Sequence, residues 1–117
     1  MGTADSFSSE LQELQRIFRA HLLATLPEMR SGWDAFMEDP SLENAKVMIG
    51  FVHRLAGTAG TIGFDVLSER AGAIESAFRS ISDGGPLPAG LPNDVSAFFE
   101  MIADLAAESG QSEESQP

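Results

Sequence analysis

The chain holds two histidines and no cysteine, which excludes thiol catalysis and makes imidazole a candidate nucleophile. The two rings have different neighbours. His21 lies between Ala20 and Leu22 in an amphipathic run and reads as an edge or surface residue. On a helix, His53 has Ile49, Gly50, Ala56, Gly57 and Gly60 at positions three, four and seven away, and Lys46 seven residues behind it. Each of the three glycines costs about 1 kcal/mol of helix propensity relative to alanine. Two explanations stay open: a neighbouring helix packs closely against them, or they leave the His53 ring open to another protein's active site. A lone imidazole is too little for zinc, which takes three or four protein ligands. No Gly-x-Ser-x-Gly elbow is present to support serine catalysis. A neutral ring nitrogen acting alone can accept a phosphoryl group and pass it on.

The elements that position His53 read as helices. Met48, Val52, Leu55, Ala59 and Ile62 recur at 3-4 spacing and predict a helix over 42–62, started by Ser41 or Asn44. This stripe faces the core, so His53 stands beside it and reaches solvent. Before it, Leu11, Leu14, Phe18, Leu22 and Leu26 predict a helix over 9–26, and Met29, Trp33, Phe36 and Met37 continue an apolar face over 28–38. Pro27 leaves open whether 9–38 is one kinked helix or two. After Gly63, Leu67, Ala71, Ile74, Phe78 and Ile81 predict a helix over 65–81. Glycines and prolines make 82–92 a loop. Val95, Phe98, Phe99, Ile102 and Leu105 predict a last helix over 93–108. No segment alternates like a strand. The expected fold is all-α, an antiparallel four-helix bundle with a kinked or split N-terminal segment. Residues 1–8 are expected as a flexible N-terminus, and 109–117 as a disordered acidic tail or the start of a linker.

Composition narrows the function. The 117 residues suffice for one hydrophobic core and leave no room for a separate ATP-binding kinase domain. The formal net charge of -11 argues against nucleic acid as a partner. All seven Lys and Arg lie at or before Arg79, so residues 1–79 carry a net charge of only -4. No apolar stretch approaches a membrane span, and the start lacks the pattern of a secretory signal. The absence of cysteine fits a cytoplasmic setting.

The run His53-Arg-Leu-Ala-Gly-Thr-Ala-Gly-Thr-Ile-Gly-Phe-Asp-Val-Leu67 resembles the histidine phosphotransfer (HPt) domain family. The family motif is approximately His-x-Leu-Lys-Gly-Ser/Ala, followed by Gly and then Leu. His53 matches the phosphorylated histidine, Leu55 and Gly57 the next motif positions, and Gly63 and Leu67 the later glycine and leucine. Ile74-Glu75 stands where the signature commonly ends. The resemblance covers about residues 10–108 and implies the HPt type of bundle. One position departs: Ala56 replaces the usual lysine, which helps accommodate phosphoryl charge. Lys46 lies on the same side of the helix and is a partial substitute; Arg54 points about 100° away and is a weaker one.

Glu75 has a physical reading of its own, because a carboxylate accepting from Nδ1–H would fix the tautomer and leave Nε2 to attack. The matching glutamate does this in the chemotaxis-kinase branch, which the Gly60–Phe64 run also resembles. A plain surface glutamate is the other reading. The resemblance thus implies a phosphorelay carrier that accepts a phosphoryl group on His53 and transfers it to a receiver aspartate. Lys46, Gly50, Arg54, Ala56, Gly57 and Gly60 would form phosphoryl or docking support, with Phe51 and Met48 as an apolar docking face. Its implied partners are a histidine kinase and a response-regulator receiver domain. No cofactor of its own is expected, and Mg²⁺ would sit on the partner. Two alternatives are the phosphorylatable N-terminal (P1) domain of a CheA-like kinase and a degenerate, non-phosphorylated binding module, the latter supported by Ala56.

Overall fold

The computed structural model describes residues 3–114. Four helices follow in order: α1 over Thr3–Glu38, α2 over Leu42–Thr61, α3 over Asp65–Ser82 and α4 over Leu91–Glu114. No strand occurs among the described residues. Each helix packs against its neighbours in the sequence, and α4 closes the ring against α1; across the diagonal, Phe78 of α3 meets Trp33 and Phe36 of α1 edge-on, with ring centroids 6.1 and 5.1 Å apart. With connections this short, neighbouring helices run antiparallel and the bundle is four-membered, as the apolar spacing predicts.

The segment over 9–38 is one continuous helix rather than two, with Pro27 inside it. Pro27 cannot donate to the Leu23 carbonyl. Both residues are exposed, so water can satisfy the orphaned acceptor. At 36 residues, α1 spans about 54 Å, and the molecule's longest dimension is 55 Å.

Helix ends differ from expectation. Of the flexible terminus expected over 1–8, residues 3–8 form the first turns of α1 and residues 1–2 lie outside the described residues. Of the tail expected over 109–117, residues 109–114 continue α4 and 115–117 lie outside the described residues. Extending an existing helix needs no new nucleation, and no proline interrupts either extension. Helix α4 also starts two residues early, at Leu91, because Pro92 in the first turn forfeits no intrahelical bond.

The core follows the predicted stripes with three corrections. Leu14 is 51% exposed, because the inward row at that end runs through Leu11, Gln15 and Phe18, one residue away. Met37 is exposed next to buried Phe36 for the same reason. Met48 is fully buried and so cannot belong to a docking face. Gly32 on α1 makes its room: a Cβ there would stand 3.1 Å from the Met48 sulfur.

Two connections fix the ends of α2. Ser41 is its N-cap, its Oγ accepting from the Asn44 backbone N–H at 3.1 Å. Asn44 Nδ2 donates back to the carbonyls of Ala35 and Asp39, tying α2 to the end of α1. At the other end, Gly63 takes φ +92°, and the Phe64 N–H reaches the Ala59 carbonyl at 2.8 Å. This 6→1 bond closes a Schellman turn, which needs the left-handed residue that glycine supplies. Gln15 of α1 caps the same turn, donating from Nε2 to the Ile62 carbonyl at 2.7 Å.

Candidate functional site

Helices α2 and α3 form the most extensively packed pair in the bundle. Val52 and Leu55 of α2 and Ile74 and Phe78 of α3 turn into the core. His53 and Glu75 each sit one residue off those stripes, on the edge where the two helices meet. Their register is set two turns away, near the Gly63 connection. A Cβ on Gly60 would stand 3.0 Å from Ser68 Oγ, which itself donates to the Ala56 carbonyl at 2.9 Å. His53 lies seven residues before Gly60, and Glu75 seven after Ser68. In an antiparallel pair these steps carry both residues about 10 Å along the seam to the same level.

There, His53 Nδ1 and Glu75 Oε2 are 3.0 Å apart. The His53 side chain is 67% exposed and that of Glu75 only 15%. Burial of the carboxylate opposes its ionisation. Hydrogen bonds from Arg79 and His53, together with their charges, outweigh that and hold the Glu75 carboxyl below its ordinary value of 4.5. An ionised carboxylate can only accept, so the bond places the proton on Nδ1. In the neutral ring this leaves Nε2 as the nitrogen without a proton.

The other expected residues fall into separate groups. Gly57, one turn past His53, has nothing within 4 Å of the position a Cβ would take. Gly50, one turn before it, has only the Arg54 guanidinium, at 3.8 Å. Close packing therefore explains neither glycine. Gly60 is different, since it meets Ser68. Close packing thus applies at Gly60, while Gly50 and Gly57 leave space beside the His53 ring. Ala56 is half-buried against the core, and its carbonyl belongs to the Ser68 contact. Arg54 folds back over Phe51, 5.8 Å from its ring centroid. Lys46 is exposed two turns before His53, and no hydrogen bond or ion pair joins it to another described residue. His21 is exposed on α1, with Nε2 3.2 Å from Thr25 Oγ1.

A shallow open depression beside the ring is lined by His53, Arg54, Gly57, Thr58, Thr61 and Ile62. Gly57 contributes no side chain to it, and no other group fills the space over that glycine. Sequence reasoning missed three residues that build the site: Ser68, Gln15 and Arg79. The Glu75–Arg79 spacing of four was a readable signal for the last. Among the described residues no three histidines or carboxylates group in a way that would hold a metal ion. No helix of the described residues is long and apolar enough to cross a membrane.

A sequence model of one family, described as the Hpt domain, matches residues 5–108. Comparison with curated proteins and with solved structures gave no match.

Proposed function

The chain belongs to the Hpt domain family, a histidine-phosphotransfer carrier of two-component phosphorelays, and on that premise we propose that His53 is its phosphorylated residue. The observation carrying this assignment is the pairing of an exposed ring with a carboxylate on Nδ1. The Nε2 lone pair attacks the donor phosphorus, the N–P bond forms, and the donor P–O bond breaks with its electron pair leaving on oxygen. No proton need move in this step. Nδ1–H stays on the ring, and the Glu75 carboxylate offsets the positive charge that the ring gains. In the onward step a receiver carboxylate oxygen attacks phosphorus, and the N–P electron pair returns to Nε2.

The partners of this reading are a histidine kinase or phosphorylated receiver as donor and a receiver domain as acceptor. The Mg²⁺ that balances phosphoryl charge belongs to the partner. Such a relay places the chain in the cytoplasm. Gly50 and Gly57 keep the approach open, while Lys46 and Arg54 supply positive charge on the exposed side of α2. The His53–Glu75 contact also favours a second reading, the phosphorylatable domain of a chemotaxis-type kinase. That reading predicts faster labelling by ATP with a chemotaxis-type catalytic domain than by phosphorylated receivers.

The test uses receiver domains from the source organism, phosphorylated with acetyl phosphate, and follows acid-labile label on the chain. His53→Gln should take none, and His21→Gln should label almost normally. Label retained on His53→Gln refutes the assignment. A wild-type chain that accepts label from neither receivers nor kinase domains supports the non-phosphorylated binding module instead.

A further inference from the structure

Arg79 stands one turn beyond Glu75 on α3. Its Nε lies 2.8 Å and its Nη2 2.7 Å from Glu75 Oε2. His53 Nδ1 is 3.0 Å from that same oxygen. Two hydrogen bonds from two helices, with the Nη2 ion-pair contact beside them, thus converge on one acceptor atom. We propose that Arg79 is a positioning residue for phosphoryl transfer: it fixes the Glu75 carboxylate so that Oε2 holds the proton on His53 Nδ1 and leaves Nε2 free to attack. This rests on the reading of His53 as the nucleophile.

The need for such a residue follows from the glutamate. Its side chain has three rotatable bonds and loses appreciable entropy when held in one arrangement. A single hydrogen bond to a largely exposed ring is weak restraint. The carboxylate could turn either oxygen to the ring or leave it, and the imidazole would then be free to carry its proton on Nε2. The guanidinium is a rigid group, and its Nε–H bond together with the Nη2 charge at the same oxygen fixes that oxygen's position. Neither Arg79 nor Glu75 takes a proton from the ring in this scheme, so the transfer step stays balanced as N–P formation and P–O cleavage.

A surface ion pair four residues apart on a helix is common and adds little stability. Two features set this one apart. Glu75 is mostly buried at 15% side-chain exposure, and the oxygen chosen by Arg79 is the one facing His53. Arg79 also brings positive charge to the Nδ1 side of the ring from α3. On α2, the motif's lysine position is occupied by Ala56.

The experiment compares wild type, Arg79→Gln and Arg79→Lys in the full chain. Nitrogen-resolved NMR of the unphosphorylated ring reports the tautomer, and phosphoramidate serves as a small donor to His53. Arg79→Gln should lower the Nδ1–H fraction and slow labelling about three- to tenfold, the scale of a loosened reactive group. Arg79→Lys, which keeps the charge, should recover most of both at similar thermal stability. If Arg79→Gln keeps the wild-type tautomer and rate, the pair is a surface ion pair only and the proposal falls. The two readings fail separately. A wild-type chain that takes no phosphate from receivers defeats the carrier assignment, while the tautomer comparison still decides the role of Arg79.

Discussion

Ser68 of α3 lies against Gly60 of α2 so closely that a Cβ on the glycine would stand 3.0 Å from the serine hydroxyl oxygen. That hydroxyl is committed to the Ala56 carbonyl, so it cannot swing away without breaking a hydrogen bond. The contact sets the register of the two helices, and the register carries His53 to Glu75 one heptad away.

Alanine substitutions should therefore separate the two kinds of glycine in α2. Gly57→Ala enters open space and should stabilise the chain by about 0.5–1 kcal/mol through helix propensity. Gly60→Ala gains the same propensity but displaces Ser68, whose hydrogen bond is worth about 1 kcal/mol, leaving little or no net gain. Urea unfolding of both variants checks this. Equal stabilisation by the two would mean that Ser68 yields without cost.

Glu75 should give the stability a specific pH dependence. Its carboxyl is held below 4.5 in the folded chain, so its stabilising contribution is complete above that pH. It is lost as pH falls through the lower folded value. Glu75→Gln lacks this contribution, so the gap between wild type and variant should be full above pH 4.5 and shrink as the pH falls well below it. Denaturant unfolding in those two pH ranges measures the gap, and a gap independent of pH would contradict the ion pairing.

Bulk at Gly57 should block a protein partner and spare a small donor. Gly57→Leu should remain folded, since nothing lies within 4 Å of the site. Its labelling by phosphorylated receivers should fall by about tenfold or more, the scale set by misplacing reacting groups. Labelling by phosphoramidate should stay close to wild type. Receiver transfer at the wild-type rate in a folded Gly57→Leu chain would move the docking surface elsewhere.

Pro27 should be a removable defect. It is exposed inside a continuous helix, and its neighbours already hold helical geometry. Pro27→Ala restores a backbone donor and should raise stability by about 1–3 kcal/mol, part of the gain being offset by a freer unfolded chain. A lower melting temperature would show that the proline ring packs usefully.

Much of the site was legible in the residues. Apolar spacing marks α2 and α3, and it places Val52 and Ile74 inward with His53 and Glu75 beside them. Gly63 marks the turn that returns α3 along α2. The motif around His53 separates this ring from His21. Helix ends were less legible, because the signals at 8–9 and 108 are compositional. A helix already nucleated continues past such signals when no proline stops it.

The sequence by itself determined that four amphipathic helices fold back on one another and that one histidine lies off the buried stripe of the second. It also determined the HPt family of the chain, through a motif on contiguous residues. The tertiary structure decided which glycines pack and which stay open, because that depends on what the neighbouring helix presents opposite each one. It decided that Glu75 reaches His53, since 22 residues of chain separation say nothing of distance until the Gly60–Ser68 contact sets the register. It also decided that Arg79 bonds the oxygen facing the ring. Spacing along one helix brings Arg79 within reach of Glu75, but only the packing of α2 on α3 determines which oxygen is left to both.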